Sequence, residues 1–382
     1  MKFKHYSGQR SSLPTIGKVI FSFLGIIILL CVCLLLFAVI TEYRPDAVTR
    51  LTVTASADRQ NVRSGQAYSL LTFNIGWCGM DATQDTWLEG GLRAGADSQE
   101  AVENNLRAIS DEIQKRAPDF VFLQEVDVNS RRSFSVNQQE ALQNLLSDHT
   151  ASFALDYKAP FVPLPLLTPT GRVESGLLSL SSVAVHESAR YSFDGEQPFP
   201  MRLIQPSYCF LVTRLATDNG GELVLINTRF APPNADASIR ALQLAQMKAF
   251  LETEAQAGHY VIAGGDWYGQ LPGTDYRIFG YGPDSPDWCE DMPADFTPEG
   301  YRWAVYPELP SRRSCDMPYA KGRMITGVSD GFLVSDNIEI RSVLTMDLDF
   351  RNAAHNPVLL VFILPTAEGQ QDAGAGLPDE AQ

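Results

Sequence analysis

Six polar residues in this chain of 382 share one property: Asn74, Glu125, Arg229, Asp266, Asp330 and His355 each stand at the edge of a short apolar run. The runs are YSLLTFNI at 68–75, DFVFLQE at 119–125, ELVLINTR at 222–229, YVIAGGD at 260–266, DGFLVS at 330–335 and PVLLVFIL at 357–364, with His355 just before the last. The residue types supply carboxylates and an imidazole for proton transfer, oxygens for a hard cation, and a guanidinium for an anion. Alone, each reads as a loop residue or a helix cap. Six at equivalent strand termini form a pattern, because reactive groups of α/β folds gather where strands end. Gly264 and Gly265 add room for close backbone approach beside Asp266.

Such groups need strands to hold them. The six runs, with 177–182 and 208–216, are rich in Val, Ile, Leu and Phe and bounded by Gly, Asn, Asp or Pro, which predicts eight strands. Helices are predicted over 98–116, where Val102, Leu106, Ile109 and Ile113 share a face between a Ser98 cap and a Pro118 stop, and over 236–257. Residues 269–324 are long, Pro-rich and aromatic, and are expected to form loops around a site.

The order of these runs resembles the endonuclease/exonuclease/phosphatase superfamily. The resemblance rests on LLTFNIGW at 70–77, PDFVFLQEVD at 118–127, SGLLSLS at 175–181, LVLINTRF at 223–230, IAGGDWYG at 262–269, SDGFLVSDN at 329–337 and AAHNPVLLVF at 353–362. It implies a four-layered α/β sandwich, two mixed β-sheets face to face with helices outside, and a divalent-metal-dependent phosphoester hydrolase using Mg²⁺ or Mn²⁺. By resemblance, Glu125 is the principal metal carboxylate and Asn74 orients the metal shell or phosphate. Asp266 aligns or deprotonates the attacking water, and Asp330 with His355 forms the pair that stabilises phosphoryl oxygens.

Three positions depart from the family pattern. Arg229 replaces a phosphate-binding His; it can clamp an anion but cannot donate a proton. Tyr268 replaces the Asn that ends the GDFN motif and is bulky enough to fill the cleft. Ala354 replaces a metal-binding Asp, so a single firm carboxylate would hold the ion weakly. Two readings follow: a hydrolase of weakened or lost activity, or a catalytically inactive relative whose cleft binds a phosphorylated ligand or a protein partner.

Arg132, in Arg131-Arg132-Ser133 near Asn137 and Gln138, is a candidate for binding substrate phosphate, against a loop that caps the next helix. Arg312-Arg313 reads as surface charge. Of the tryptophans, Trp267 is the one expected in the cleft, because it adjoins Asp266.

The apolar run 19–40, interrupted only by Ser22 and Gly25, is long enough to cross a bilayer. Lys2, Lys4, Arg10 and Lys18 precede it without an acid, so an uncleaved signal anchor is expected, with residues 1–18 cytoplasmic and the rest outside. Expected next are a stalk over 41–66, one domain over 67–365 and a disordered tail over 366–382. Beyond residue 18 there are 26 cations against 45 acids, which opposes a general DNA-coating role and favours a small phosphoester or a lipid headgroup. Cys78, Cys209, Cys289 and Cys315 show no CxxC spacing, so no zinc cluster is indicated. An oxidising compartment would allow one or two disulfides among them with the pairing open, of which Cys289–Cys315 would close the shortest plausible loop.

Overall fold

The computed structural model describes residues 15–53, 59–232, 237–279 and 287–366. Residues 1–14 of the basic segment and 367–382 of the expected tail lie outside them. The chain divides into Met1–Glu42 and Tyr43–Gln382. The first unit holds helix α1 (Thr15–Ile40), whose stretch Gly17–Ile40 has a mean hydropathy of 3.4 and is long and apolar enough to cross a membrane.

In the second unit the order is β1 (Val48–Arg50), β2 (Ala67–Asn74), α2 (Gln99–Arg116), β3 (Phe120–Asp127), α3 (Gln138–Leu145), β4 (Thr150–Val162), β5 (Gly171–Ser181), β6 (Glu187–Ser192) and β7 (Cys209–Ala216). There follow β8 (Glu222–Arg229), α4 (Ala237–Gln256), β9 (Tyr260–Asp266), β10 (Tyr301–Ala304), β11 (Arg312–Arg313), β12 (Thr326–Gly327), β13 (Asp330–Ser335), β14 (Glu339–Thr345) and β15 (Val358–Ile363). One sheet runs β1-β6-β7-β8-β9-β13-β10 and the other β14-β15-β2-β3-β5-β4, with β11 and β12 a separate pair.

Period-two alternation explains the layering. On β8, Leu223 and Leu225 enter the core between the sheets, where they join Leu70, Phe120, Phe122, Phe332 and Leu360. Val224 and Ile226 face the opposite way and pack with Leu244, Met247 and Leu251 of α4. The other sheet repeats the arrangement: Val121 and Leu123 meet Val102, Leu106 and Ile109 of α2 and Leu142 of α3. The result is the expected four-layered α/β sandwich. Ser98 caps α2 by accepting from the Ala101 N–H, and the helix ends at Ala117 in left-handed geometry just before Pro118.

Most strand pairs are antiparallel, but β2 with β3 and β8 with β9 are parallel, each joined through a helix. Their carboxyl ends carry Asn74, Glu125, Arg229 and Asp266. The expected stalk is corrected in part: Val48–Arg50 pairs with β6, and Val62 is fully buried with its N–H donated to Ala216 O. A three-residue edge strand carries too little periodicity to stand out from a polar linker in sequence.

Candidate active site

The two parallel pairs bring their ends to one cleft of about 700 Å³, lined by Asn74, Glu125, Arg132, Arg229, Asp266, Tyr268, Ala354 and His355 among others. Asp330 stands directly behind it, because β13 runs antiparallel to β9 and places Asp330 opposite Asp266. Asn74, Glu125, Arg132, Arg229, Asp266, Tyr268, Asp330, Ala354 and His355 therefore converge.

Glu125 sits where the β3–β5 register shifts, with φ of 55°. Such a bulge re-aims a side chain that the regular pleat would send elsewhere. Gly265, with φ of 148°, lets β8 and β9 close: a Cβ there would lie 1.9 Å from Thr228 O. Asn74 joins the two halves. Its Nδ2 donates to Glu125 Oε1 at 3.2 Å and to Asp266 Oδ2 at 3.1 Å, while its Oδ1 accepts from the Gly76 N–H. Asp266 Oδ1 accepts from the Tyr268 N–H at 3.0 Å.

Beside Asp266, His355 Nδ1 lies 2.8 Å from Asp330 Oδ2 and its Nε2 lies 3.9 Å from Asp266 Oδ2. Burial alone would lower the pKa of the ring, but Asp330 and then Asp266 raise it. Burial raises the pKa of Asp330. Asp266 would also be raised by burial, yet His355 and Arg312 hold it below the usual carboxylate range. Glu125 behaves alike, with Arg229 and then Arg132 opposing the effect of burial. The cleft thus contains ionised Glu125 and Asp266 and favours an imidazolium.

Arg229 is heavily committed. Its Nη2 and Nε donate to Asp156 Oδ2 at 2.9 and 3.2 Å, and its Nη1 lies 3.5 Å from Glu125 Oε1. Arg132 is held by Asp127 through two bonds and lies over the ring of Trp77 at 5.1 Å. Asn137 caps α3, and Gln138 bonds the Trp77 carbonyl, so both are structural. Asn227 is structural too, accepting from Gln124 between the sheets. Ala354 packs in an apolar group with Trp77, Met80 and Cys315.

The Endonuclease/Exonuclease/phosphatase family profile matches residues 71–347, which include Asn74, Glu125, Arg229, Asp266 and Asp330. The chain belongs to that family. Among solved structures it is similar to ANGEL2, a 2',3'-cyclic phosphatase, at 13% identity and a TM-score of 0.52 over 83% of this chain and 99% of that one. It is also similar to a family member from Beutenbergia cavernae (15% identity, TM-score 0.49, 79% and 72% covered) and to the human Nocturnin catalytic domain (17%, 0.48, 80% and 96%). At these identities the likeness is one of fold. No curated protein matches the chain significantly.

Against the family pattern, three expectations are corrected. Trp267 is fully buried, stacked on Phe230 and away from the cleft, whereas Trp77 and Trp288 line it. Arg312 and Arg313 are buried rather than surface charges: Arg313 donates to main-chain carbonyls of the 80–84 loop, and Arg312 forms cleft wall. The cysteines are free; Cys289 and Cys315 are buried thiols. Two further residues escaped sequence reasoning. Asp156 anchors Arg229 from a strand, β4, whose alternation carries polar inward residues, and Glu89 lies on a short turn where it binds Arg312. The loops of 269–324 do border the cleft, through Trp288, Arg312, Cys315 and Met324.

Proposed function

We propose that this chain is a membrane-anchored phosphoester hydrolase of reduced activity, acting on a small phosphoester or a lipid headgroup with Mg²⁺ or Mn²⁺. The observation that carries the reading is Asn74, whose one amide group bonds carboxylates of both parallel strand pairs and so draws Glu125 and Asp266 to a common point beside the His355–Asp330 pair. The acidic composition argues for a small substrate over long DNA. Helix α1 would serve as the anchor, with the basic N-terminus in the cytoplasm and the domain outside.

The donor set fits a hard divalent ion. Glu125 and Asp266 offer oxygen ligands and are held ionised, while Asn74, whose Oδ1 accepts from the Gly76 N–H, turns its Nδ2 toward both carboxylates. Asp266, Asp330 and His355 form a second acidic and imidazole group, with ligand atoms within 4.8 Å of one another, but His355 and Asp330 already bond each other there. Glu125 and Asp266 are the preferred holders, with Asn74 orienting both carboxylates. A bound ion would act as a Lewis acid that neutralises charge on the phosphoryl oxygens.

The chain's own residues do the rest. Asp266 carries the charge needed to align the attacking water and take its proton. His355, its ring fixed through Nδ1 by Asp330, presents Nε2–H to a phosphoryl oxygen as negative charge grows. Arg229 holds Glu125 in place from the side of Asp156.

Two observations favour the second reading, a cleft that binds without turnover: an alanine stands among apolar residues at position 354, and a guanidinium already faces Glu125. Ala354→Asp separates the two. Restoring the carboxylate should raise the Mn²⁺-dependent hydrolysis rate of a generic phosphodiester roughly tenfold, part of the 10²–10³ that one well-placed electrostatic group supplies. Folded wild-type and Ala354→Asp proteins that are both inert would favour the binding reading.

A further inference from the structure

Arg312 occupies an unusual position for a cation. It lies on the two-residue strand β11, which pairs with β12 and is bridged to His355, so its backbone is fixed beside the catalytic imidazole. Its side chain is 97% buried in the cleft wall, at 3% exposure. The guanidinium carbon is 4.0 Å from the Tyr268 ring centroid and 4.8 Å from that of Trp288. Nη2 donates to Glu89 Oε1 at 2.7 Å, whereas Nη1 is buried with no hydrogen-bond partner among the described residues. Burial would lower its pKa, but Tyr268 and Glu89 overcome that, so the group stays charged.

A buried guanidinium normally has its donors satisfied, since an unpaired one is costly. Two other cations of the cleft obey this rule, Arg132 tied to Asp127 and Arg229 to Asp156 and Glu125, whereas Arg313, which does not line the cleft, also leaves its Nε without a partner among the described residues. Arg312 instead keeps a donor in reserve next to Asp266 and His355, the groups that would surround a phosphoryl centre. Aromatic stacking holds the guanidinium plane without using its hydrogen-bonding edge.

We propose that Arg312 binds the phosphate of the substrate through Nη1, and that Tyr268, by stacking on it, replaces the missing amide of the family motif with an aromatic-supported guanidinium. The inference rests on the cleft being a phosphoester site. On this view Tyr268 is a positioning residue rather than an obstruction. Arg312 supplies full charge where an amide offers only a dipole, which makes anion binding independent of the metal.

The test is calorimetric titration of the full-length protein in detergent micelles with inorganic phosphate, in EDTA. Wild type should bind. Arg312→Ala and Arg312→Lys should each weaken binding about 10–100-fold, the effect of a charge-assisted, geometrically fixed donor. Tyr268→Phe, which keeps the ring, should weaken it less than about threefold, while Tyr268→Asn should weaken it about fivefold or more even though it restores the family amide. Melting temperatures identify any variant that fails to fold; the Phe and Asn pair at position 268 then carries the test. Absence of phosphate binding by wild type, unchanged binding by Arg312→Lys, or tighter binding by Tyr268→Asn would overturn the proposal. Hydrolysis is a separate readout: phosphate binding that depends on Arg312 in a protein that never turns over leaves this inference standing and removes only the hydrolase reading.

Discussion

Asn74 illustrates how much chemistry one side chain can organise. Its amide bonds both Glu125 and Asp266, which come from different sheets, so replacing it with alanine leaves the half-buried Glu125 and the buried Asp266 without a shared donor. Such a loss costs about 1–3 kcal/mol, and Asn74→Ala should both lower the melting temperature and weaken Mn²⁺ binding, measured by calorimetry. The cysteines carry a second prediction at this scale. Burial pushes the thiols of Cys209, Cys289 and Cys315 up to about 12, and that of Cys78 well above its ordinary value. In the unfolded chain they would ionise near pH 8.5. Because the folded pKa values are the raised ones, stability is complete below that pH and falls as pH climbs beyond it, where only the unfolded chain releases protons. Urea midpoints should therefore decline between about pH 8.5 and pH 10. Peptide mapping after alkylation at pH 8 should find these four unlabelled in the native protein and all labelled after denaturation without reductant; protected pairs in the denatured sample would restore the disulfide expectation.

At the scale of elements, legibility followed burial. The eight strands expected from sequence are apolar because sheet and helix cover them, and β8 and β9 are buried almost throughout. Their polar termini then marked Asn74, Glu125, Asp266 and Asp330. What stayed hidden obeys a different logic. The edge strand β14 is largely exposed and carries Glu339 and Arg341, and β4 turns Thr150, Ser152 and Asp156 inward, so neither reads as an apolar run. Arg312 is not legible as a buried residue, because its burial depends on Tyr268, Trp288 and Glu89, which only the folded chain gathers. The close passage of β8 by β9 gives a test at this scale. Gly265→Ala places a methyl against Thr228 O in a backbone conformation that alanine avoids, and should destabilise the domain by roughly 3 kcal/mol. A melting temperature unchanged from wild type would contradict the packing of these two strand ends.

For the whole molecule, two β–α–β units placed in facing sheets account for the site: each ends its parallel strands at the same cleft, which Trp288, Arg312, Cys315 and Met324 border. The acid excess of the chain is not repeated in the cleft, whose lining sets Arg132, Arg229, Arg312 and Arg323 against Glu89, Glu125, Asp266 and Asp316. If α1 is an anchor oriented by its basic flank, the full chain should remain with membranes after a carbonate wash, and protease added to intact cells should digest the domain; complete protection despite proven access would contradict that orientation. The most direct test of the central claim is the rate at which purified full-length protein and Glu125→Gln hydrolyse bis(p-nitrophenyl) phosphate with Mn²⁺ and with EDTA. The account predicts a slow, metal-dependent rate that falls at least about 100-fold in Glu125→Gln, whereas a rate indifferent to both the metal and Glu125 would contradict it.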